Sequence, residues 1–275
     1  MEAVSYTAQW TAAARAVESE RTEESLFNDP YARDLAAPRG FELLDKYGGG
    51  GLLHFIAIRT RYFDDSVEVL LRESGARQVV LVAAGMDTRA FRLQWPDGTT
   101  VYEVDHTALM EEKARRLASR DARPATDRRE VGADLAQGWL PELRHAGFDP
   151  QQPTLWIAEG LMFFLTRDQA ADLLALLGTA SAPGSRLAVD FASRALLRSP
   201  FSQEFLTALR EDGTPWQFGT DEPEEFLAST GWKVRDLKEP GQPGAGEGRW
   251  PYEIQPRERR GSPRSWLVRA EFVGR

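Results

Sequence analysis

Cysteine is absent from this 275-residue chain, which rules out disulfides, thiolate nucleophiles and cysteine-held zinc or iron–sulfur centres. Histidine is scarce. His54, His106 and His145 are the whole supply, no two of them spaced for joint ligation on a helix, so no metal site is expected. No stretch approaches the ~20 consecutive apolar residues that cross a bilayer. Residues 1–21 mix small apolar residues with Arg and Glu and lack a secretory apolar core. A cytoplasmic chain with no membrane partner is therefore expected. Positive charge is in deficit: the net charge of −8 argues against a broad nucleic-acid-binding face, which needs clustered cations. Of the 34 lysines and arginines only Lys46, Lys113, Lys233 and Lys238 are lysines, a bias that reads as codon usage rather than function. Internal repeats and low-complexity tracts are also lacking.

What is present is ordinary for a globular protein: 42% hydrophobic and 28% charged residues, in a length that one core can serve. Apolar spacing predicts a helix over residues 6–22, with Trp10, Ala14 and Val17 on one face, and a short helix over 31–36 after the Asn28-Asp29-Pro30 turn. Beyond the glycines at 48–51, a helix over 53–72 would bury Phe55, Ile58, Tyr62, Val69 and Leu70. The period then changes. Residues 78–84 (QVVLVAA), 100–104 (TVYEV), 130–133 (EVGA), 154–158 (TLWIA) and 186–191 (RLAVDF) read as strands, the apolar runs among them suited to burial on both faces. A helix is expected over 107–119, and another begins at a capping box of Thr166 and Gln169. Residues 194–218 read as helix broken by Pro200 and Pro215, 222–229 as a short helix and 240–263 as a long loop. Residues 231–234 and 265–272 read as closing strands. Strands alternating with helices predict an α/β fold: a Rossmann-like, doubly wound, seven-stranded and mostly parallel sheet, with an antiparallel edge pair and an N-terminal helical cap.

In such a sheet, ligands bind beyond the carboxyl ends of the strands. Four of the predicted ends carry Gly85, Asp105, Asp134 and Glu159. Gly85 allows close backbone approach. Asp105, twenty residues on at the end of the second strand, stands where a carboxylate grips ribose hydroxyls. Asp134 suits an adenine amino group, and Glu159 the ammonium of a bound amino acid. These features alone do not separate one nucleotide-type cofactor from another.

Four longer blocks go further: 79–93 (VVLVAAGMDTRAFRL), 101–113 (VYEVDHTALMEEK), 132–135 (GADL) and 158–165 (AEGLMFFL). With 11–32, 59–65 (RTRYFDD) and 231–234 (GWKV), they resemble, in order, the leucine carboxyl methyltransferase-like family of S-adenosylmethionine-dependent methyltransferases. Its bacterial branch includes polyketide carboxyl O-methyltransferases. The resemblance implies that S-adenosyl-L-methionine is the cofactor and S-adenosyl-L-homocysteine the product. It places Arg59 on the cofactor's carboxylate, Gly85 under the methionine portion and Asp105 on the ribose. Asp134 and Leu135 would frame adenine, and Glu159 would lie beside the amino end. Arg61 is the alternative to Arg59, and Asp87 with Arg89 reads as an internal ion pair fixing the turn.

The chain departs from the family where Phe164 replaces a commonly found Tyr, removing a hydroxyl that could touch the acceptor. No side chain is assigned as catalytic, and His106 reads as structural. The expected activity is O-methylation of a carboxylate or hydroxyl on a small, polyketide-like molecule. The rival readings are a nicotinamide-dependent oxidoreductase and a cofactor-binding protein without catalysis. Trp10, the 194–218 segment with Phe201, Phe205 and Trp216, and the loop carrying Trp250 and Tyr252 are expected to select the acceptor. The whole is read as one methyltransferase domain: a cap over 1–75, a cofactor-binding core over 76–193, and substrate-side helices with closing strands over 194–275. Its oligomeric state is left open.

Overall fold

A computed structural model describes residues 3–21, 24–49 and 51–274. Three helices come first: α1 (Ala3–Ser19), α2 (Ala32–Tyr47) and α3 (Leu52–Ser74). They are followed by β1 (Gln78–Val82), α4 (Arg89–Arg92), β2 (Thr100–Asp105), α5 (Thr107–Ala118), β3 (Asp127–Gly132), α6 (Leu140–His145) and β4 (Thr154–Ala158). A 3-10 turn over Met162–Phe164 leads to α7 (Arg167–Thr179) and β5 (Arg186–Ala192). The chain closes with α8 (Arg194–Arg198), α9 (Gln203–Glu211), α10 (Pro223–Ala228), β6 (Trp232–Lys238) and β7 (Ser265–Phe272).

The seven strands form one sheet in the order β3-β2-β1-β4-β5-β7-β6. β3 to β5 run parallel, and β7 pairs antiparallel with both β5 and β6. This is the fold expected from the sequence. Alternation within the strands explains why both faces are covered. Val79, Leu81, Leu155 and Ile157 pack under α1, α2 and α3, whereas Val80, Val82, Tyr102 and Trp156 pack against α6, α7 and α10. The strand order reverses between β1 and β4, so the crevice at their carboxyl ends is the topological switch point.

Most departures from the sequence reading lie at the periphery. α1 ends at Ser19, three residues early, and Gly50 of the glycine run lies outside the described residues. α2 continues to Tyr47, eleven residues beyond the expected end, because the chain kinks rather than stops. Ala37, which precedes Pro38, leaves the helix at φ 54° and ψ 174°. Helix then restarts with the proline in its first turn, where a missing N–H costs little. β3 begins at Asp127 rather than residue 130. It is an edge strand on which only Val131 is buried, and its charged residues hide the strand signal while guarding the edge. α4 and α6, four and six residues long, carried no periodic signal. Among the described residues no helix is long and apolar enough to cross a membrane.

Candidate active site

Beyond the switch point lies a cavity of about 410 Å³, within the usual range for small-molecule sites. Arg59, Gly85, Asp105, Asp134, Leu135 and Glu159 all line it. The structure thus brings all six sequence-derived residues to one crevice.

The backbone at the end of β1 is shaped for close approach. Ala83 adopts φ 57° and Gly85 φ 49°. A left-handed alanine costs about 1–2 kcal/mol, a strain that persists only where its surroundings fix it. A Cβ on Gly85 would stand 3.1 Å from the Ala8 Cβ, so the cap helix α1 rests directly on this turn.

Asp105 closes the floor. The Gly85 and His106 N–H groups each donate to one of its carboxylate oxygens at 2.7 Å. Burial pushes its pKa up, and those two bonds oppose the shift. Beneath it lies a fully buried pair in which Lys113 Nζ donates to Glu103 Oε2 at 2.7 Å. Asp134 is half-buried, and its pKa is held below the ordinary value by donors from the Ala136 N–H (2.9 Å) and the Gln137 side-chain amide (3.0 Å).

The opposite wall is a lattice of alternating charges. Arg59, 6% exposed, donates through Nε to Glu159 at 2.9 Å and lies 3.5 Å from Asp190. Arg61 instead points outward to Asp65 and the Leu26 carbonyl, so that of the two arginines it is Arg59 that lines the cavity. Arg89 is 2% exposed and serves three carboxylates: Asp87, Asp64 at 2.8 Å and Glu159 at 2.8 Å. The expected Asp87–Arg89 pair is present, but reading it as a device for the turn was too narrow, because Arg89 also anchors Glu159. Burial pushes Glu159 up, yet Arg89 and Arg59 outweigh it and leave its pKa below the ordinary value. For Asp87, burial is likewise outweighed, by Arg89 and Lys113, and its pKa falls to about 2.

The sequence reading missed Asp190, Gly160, Asp64 and Arg15. Asp190 is completely buried on β5, where it accepts the Gly160 N–H at 2.7 Å; a lone acid inside an apolar strand was the available signal. A Cβ on Gly160 would meet the Arg59 guanidinium at 3.1–3.3 Å, and the residue holds φ 69°. Gly160→Ala is therefore expected to displace Arg59, weakening S-adenosylhomocysteine binding severalfold in calorimetric titration. Arg15 ties the cap to the site by pairing with Asp29 at 2.9 Å and donating to the Met86 carbonyl.

Burial raises the Asp190 pKa to about 6, above its unfolded value. Between pH 4 and 6 the native state therefore binds the extra proton, and this contribution to stability is lost as pH rises through that window. Asp190→Asn cannot ionise. Its stability relative to wild type should improve steadily from pH 4 to 7 in urea melts, whereas a pH-independent difference would contradict the assignment.

One sequence expectation is corrected. Phe201 is 95% exposed, while Phe205, Trp250 and Tyr252 are not among the cavity-lining residues. Phe205 forms a layer behind Trp10 and Trp216. Trp250 packs beside Tyr252 against the outside of the cap-side core. Of the aromatic residues named as selectors, Trp10 and Trp216 line the cavity, together with Gln217 of the same segment and with Phe163 and Phe164.

The sheet thus reverses at β1 and β4, with the Asp105 carboxylate at the end of β2 and the Arg59–Glu159 pair across the crevice. The leucine carboxyl methyltransferase family model matches residues 8–178, well over half the chain, and the chain belongs to that family. It is 38% identical to an S-adenosyl-L-methionine-dependent methyltransferase of Parafrankia sp. (strain EAN1pec), over 85% of this chain and 78% of that one. A relative of the same description from Mycolicibacterium gilvum is 40% identical over 77% and 74%. The crystal structure of a methyltransferase from Thermobifida fusca shares the fold, with a TM-score of 0.63, 16% identity and coverage of 97% and 94%. The chain is an S-adenosylmethionine-dependent methyltransferase, and the nicotinamide-dependent alternative finds no support in these relatives.

Proposed function

We propose that the protein methylates a carboxylate or hydroxyl oxygen of a small, flat, polyketide-like molecule, and that Arg59, Gly85, Asp105, Asp134, Leu135 and Glu159 hold its cofactor. The observation that carries this reading is the continuity of one cavity from those six residues to the rings of Trp10, Phe163, Phe164 and Trp216. The donor set fits the cofactor: opposite charges on Arg59 and Glu159 match an amino-acid end, and Asp105 retains lone pairs for ribose hydroxyls.

When bound, S-adenosylmethionine supplies a methyl group on a sulfonium for in-line displacement by the acceptor oxygen. The chain's own contribution is orientation and charge. Asp105 and the Gly85 backbone fix the nucleoside, and Arg59 with Glu159 fixes the amino-acid end. The aromatic wall then sets the acceptor's line of approach while excluding water. Such alignment can remove roughly 7–11 kcal/mol of barrier. A carboxylate acceptor is ionised at neutral pH and requires no base, which agrees with a site in which no lining side chain is assigned that role.

Incubation with methyl-labelled S-adenosylmethionine and a panel of aromatic carboxylates and phenols tests the proposal. Label should pass to at least one acceptor, as a base-labile ester or a base-stable ether. Tight cofactor binding with no transfer across the panel would favour the non-catalytic reading instead.

A further inference from the structure

Arg59 reaches the cavity from α3 with its guanidinium held by four neighbours. Nε donates to Glu159 at 2.9 Å, and Nη1 lies 3.5 Å from Asp190 Oδ2, long for a hydrogen bond but close for opposite charges. The centre of the Phe55 ring lies 5.4 Å from the guanidinium carbon. A Cβ on Gly160 would fall 3.1–3.3 Å from that carbon and both terminal nitrogens. Nη2 is different. Among the described residues nothing accepts a hydrogen bond from it, yet it is not one of the enclosed unpaired atoms, so it stays open to the cavity that Arg59 lines. Of the N–H groups an arginine carries, those on Nη2 are thus left for a ligand.

Phe55, Glu159 and Gly160 line the cavity beside Arg59, and Asp190 does not. Asp190 sits in β5 between Val189 and Phe191, completely buried in an otherwise apolar run. Its two oxygens are divided between two partners: Oδ1 accepts the Gly160 N–H at 2.7 Å, and Oδ2 faces Arg59. Any neutral acceptor would satisfy the Gly160 N–H. A carboxylate buried this deeply carries a desolvation cost that an opposite charge must offset, and Arg59 is its ion-pair partner among the described residues. One side chain therefore fixes both the guanidinium and the glycine against which it lies.

We propose that Asp190 is a positioning residue: without touching the cofactor, it orients Arg59 so that Nη2 meets the carboxylate of the cofactor's amino-acid end. Resting on the reading that Arg59 holds that carboxylate, this entails a selective defect when Asp190 loses its charge. The adenosine portion is held on the other wall, by Asp105, Asp134 and Leu135, and should not sense the change.

Isothermal titration of the whole protein at pH 7.5, above the Asp190 pKa of about 6, tests this with two ligands. They are S-adenosylhomocysteine and 5′-methylthioadenosine, which lacks the amino-acid end. Asp190→Asn keeps the size of the side chain and an oxygen for the Gly160 N–H, but turns an amide donor toward the guanidinium. It should weaken S-adenosylhomocysteine about fivefold and methylthioadenosine by less than about twofold, whereas a merely structural role would weaken both alike. Arg59→Met should show the same selectivity, and adding Asp190→Asn to it should bring no further loss. If Arg59→Met does not fold, Arg59→Lys, which keeps the charge and deletes Nη2, replaces it. S-adenosylhomocysteine affinity that is unchanged or tighter in Asp190→Asn, a loss shared equally by methylthioadenosine, or a full further loss in the combined variant overturns the proposal while the reading of Arg59 stands. Wild-type affinity for S-adenosylhomocysteine in the Arg59 variant overturns both.

Discussion

Arg89→Met should lower the melting temperature by roughly 10 °C at pH 7. Arg89 lies almost fully buried among Asp87, Asp64 and Glu159, so its removal takes a counter-charge from three carboxylates at once. Breaking one buried pair in this way costs about 3–5 kcal/mol, and each kcal/mol moves the midpoint by about 2–4 °C at this size. Arg92 remains on Asp64 and Arg59 on Glu159, which limits the loss. Asp87 has no such second ion-pair partner among the described residues and is the group most exposed to the change. The effect carries a pH signature. In wild type, the depressed Asp87 pKa contributes stability above its unfolded value that is lost as pH falls toward 2. The variant lacks that contribution, so the gap between the two proteins should narrow on acidification from pH 7 to 3. Differential scanning calorimetry at several pH values reads both quantities. A difference that widens in acid would contradict the charge lattice.

Asp105→Ala is expected to weaken S-adenosylhomocysteine binding by about 1.5–3 kcal/mol, roughly 10- to 150-fold, through loss of charge-assisted hydrogen bonds to the ribose. The same substitution frees the Gly85 and His106 N–H groups, so some of the loss comes from a loosened cradle. Asp105→Asn removes the charge while keeping part of the cradle. Its amide oxygen can still accept one of these N–H groups, but its amino group turns a donor toward the other and removes the charge. Near-equal losses in both variants, by isothermal titration with the fold verified by circular dichroism, would assign the effect to the carboxylate charge. Wild-type affinity in either variant would remove Asp105 from the site.

The middle of the fold was legible because strands buried on both faces must be apolar throughout, and residues 78–82 and 154–158 have no other economical reading. β3 was only partly legible, since an edge strand needs charge for protection and so loses its own signal. The helix expected over 31–36 runs on past Pro38; a proline kink and a helix end look alike in sequence, and the difference lies in whether Leu43 and Leu44 find a core, which they do. The same division runs through the site. Gly85, Asp105, Asp134 and Glu159 could be placed because strand ends in this topology have a known destination. Asp190 could not, as its role depends on Arg59 arriving from a helix more than a hundred residues earlier. Nor could Phe205 be told from Trp216 as a cavity residue: two aromatics in one segment share every local property, and only long-range packing decides which stands in front.

The most direct test of the central claim is a crystal structure of the protein with S-adenosylhomocysteine. The ribose hydroxyls should lie on Asp105, adenine between Asp134 and Leu135, and the amino-acid end against Arg59 and Glu159, with the sulfur facing Phe163, Phe164 and Trp216. An adenosyl group bound with no contact to Asp105 or Glu159 would contradict the account.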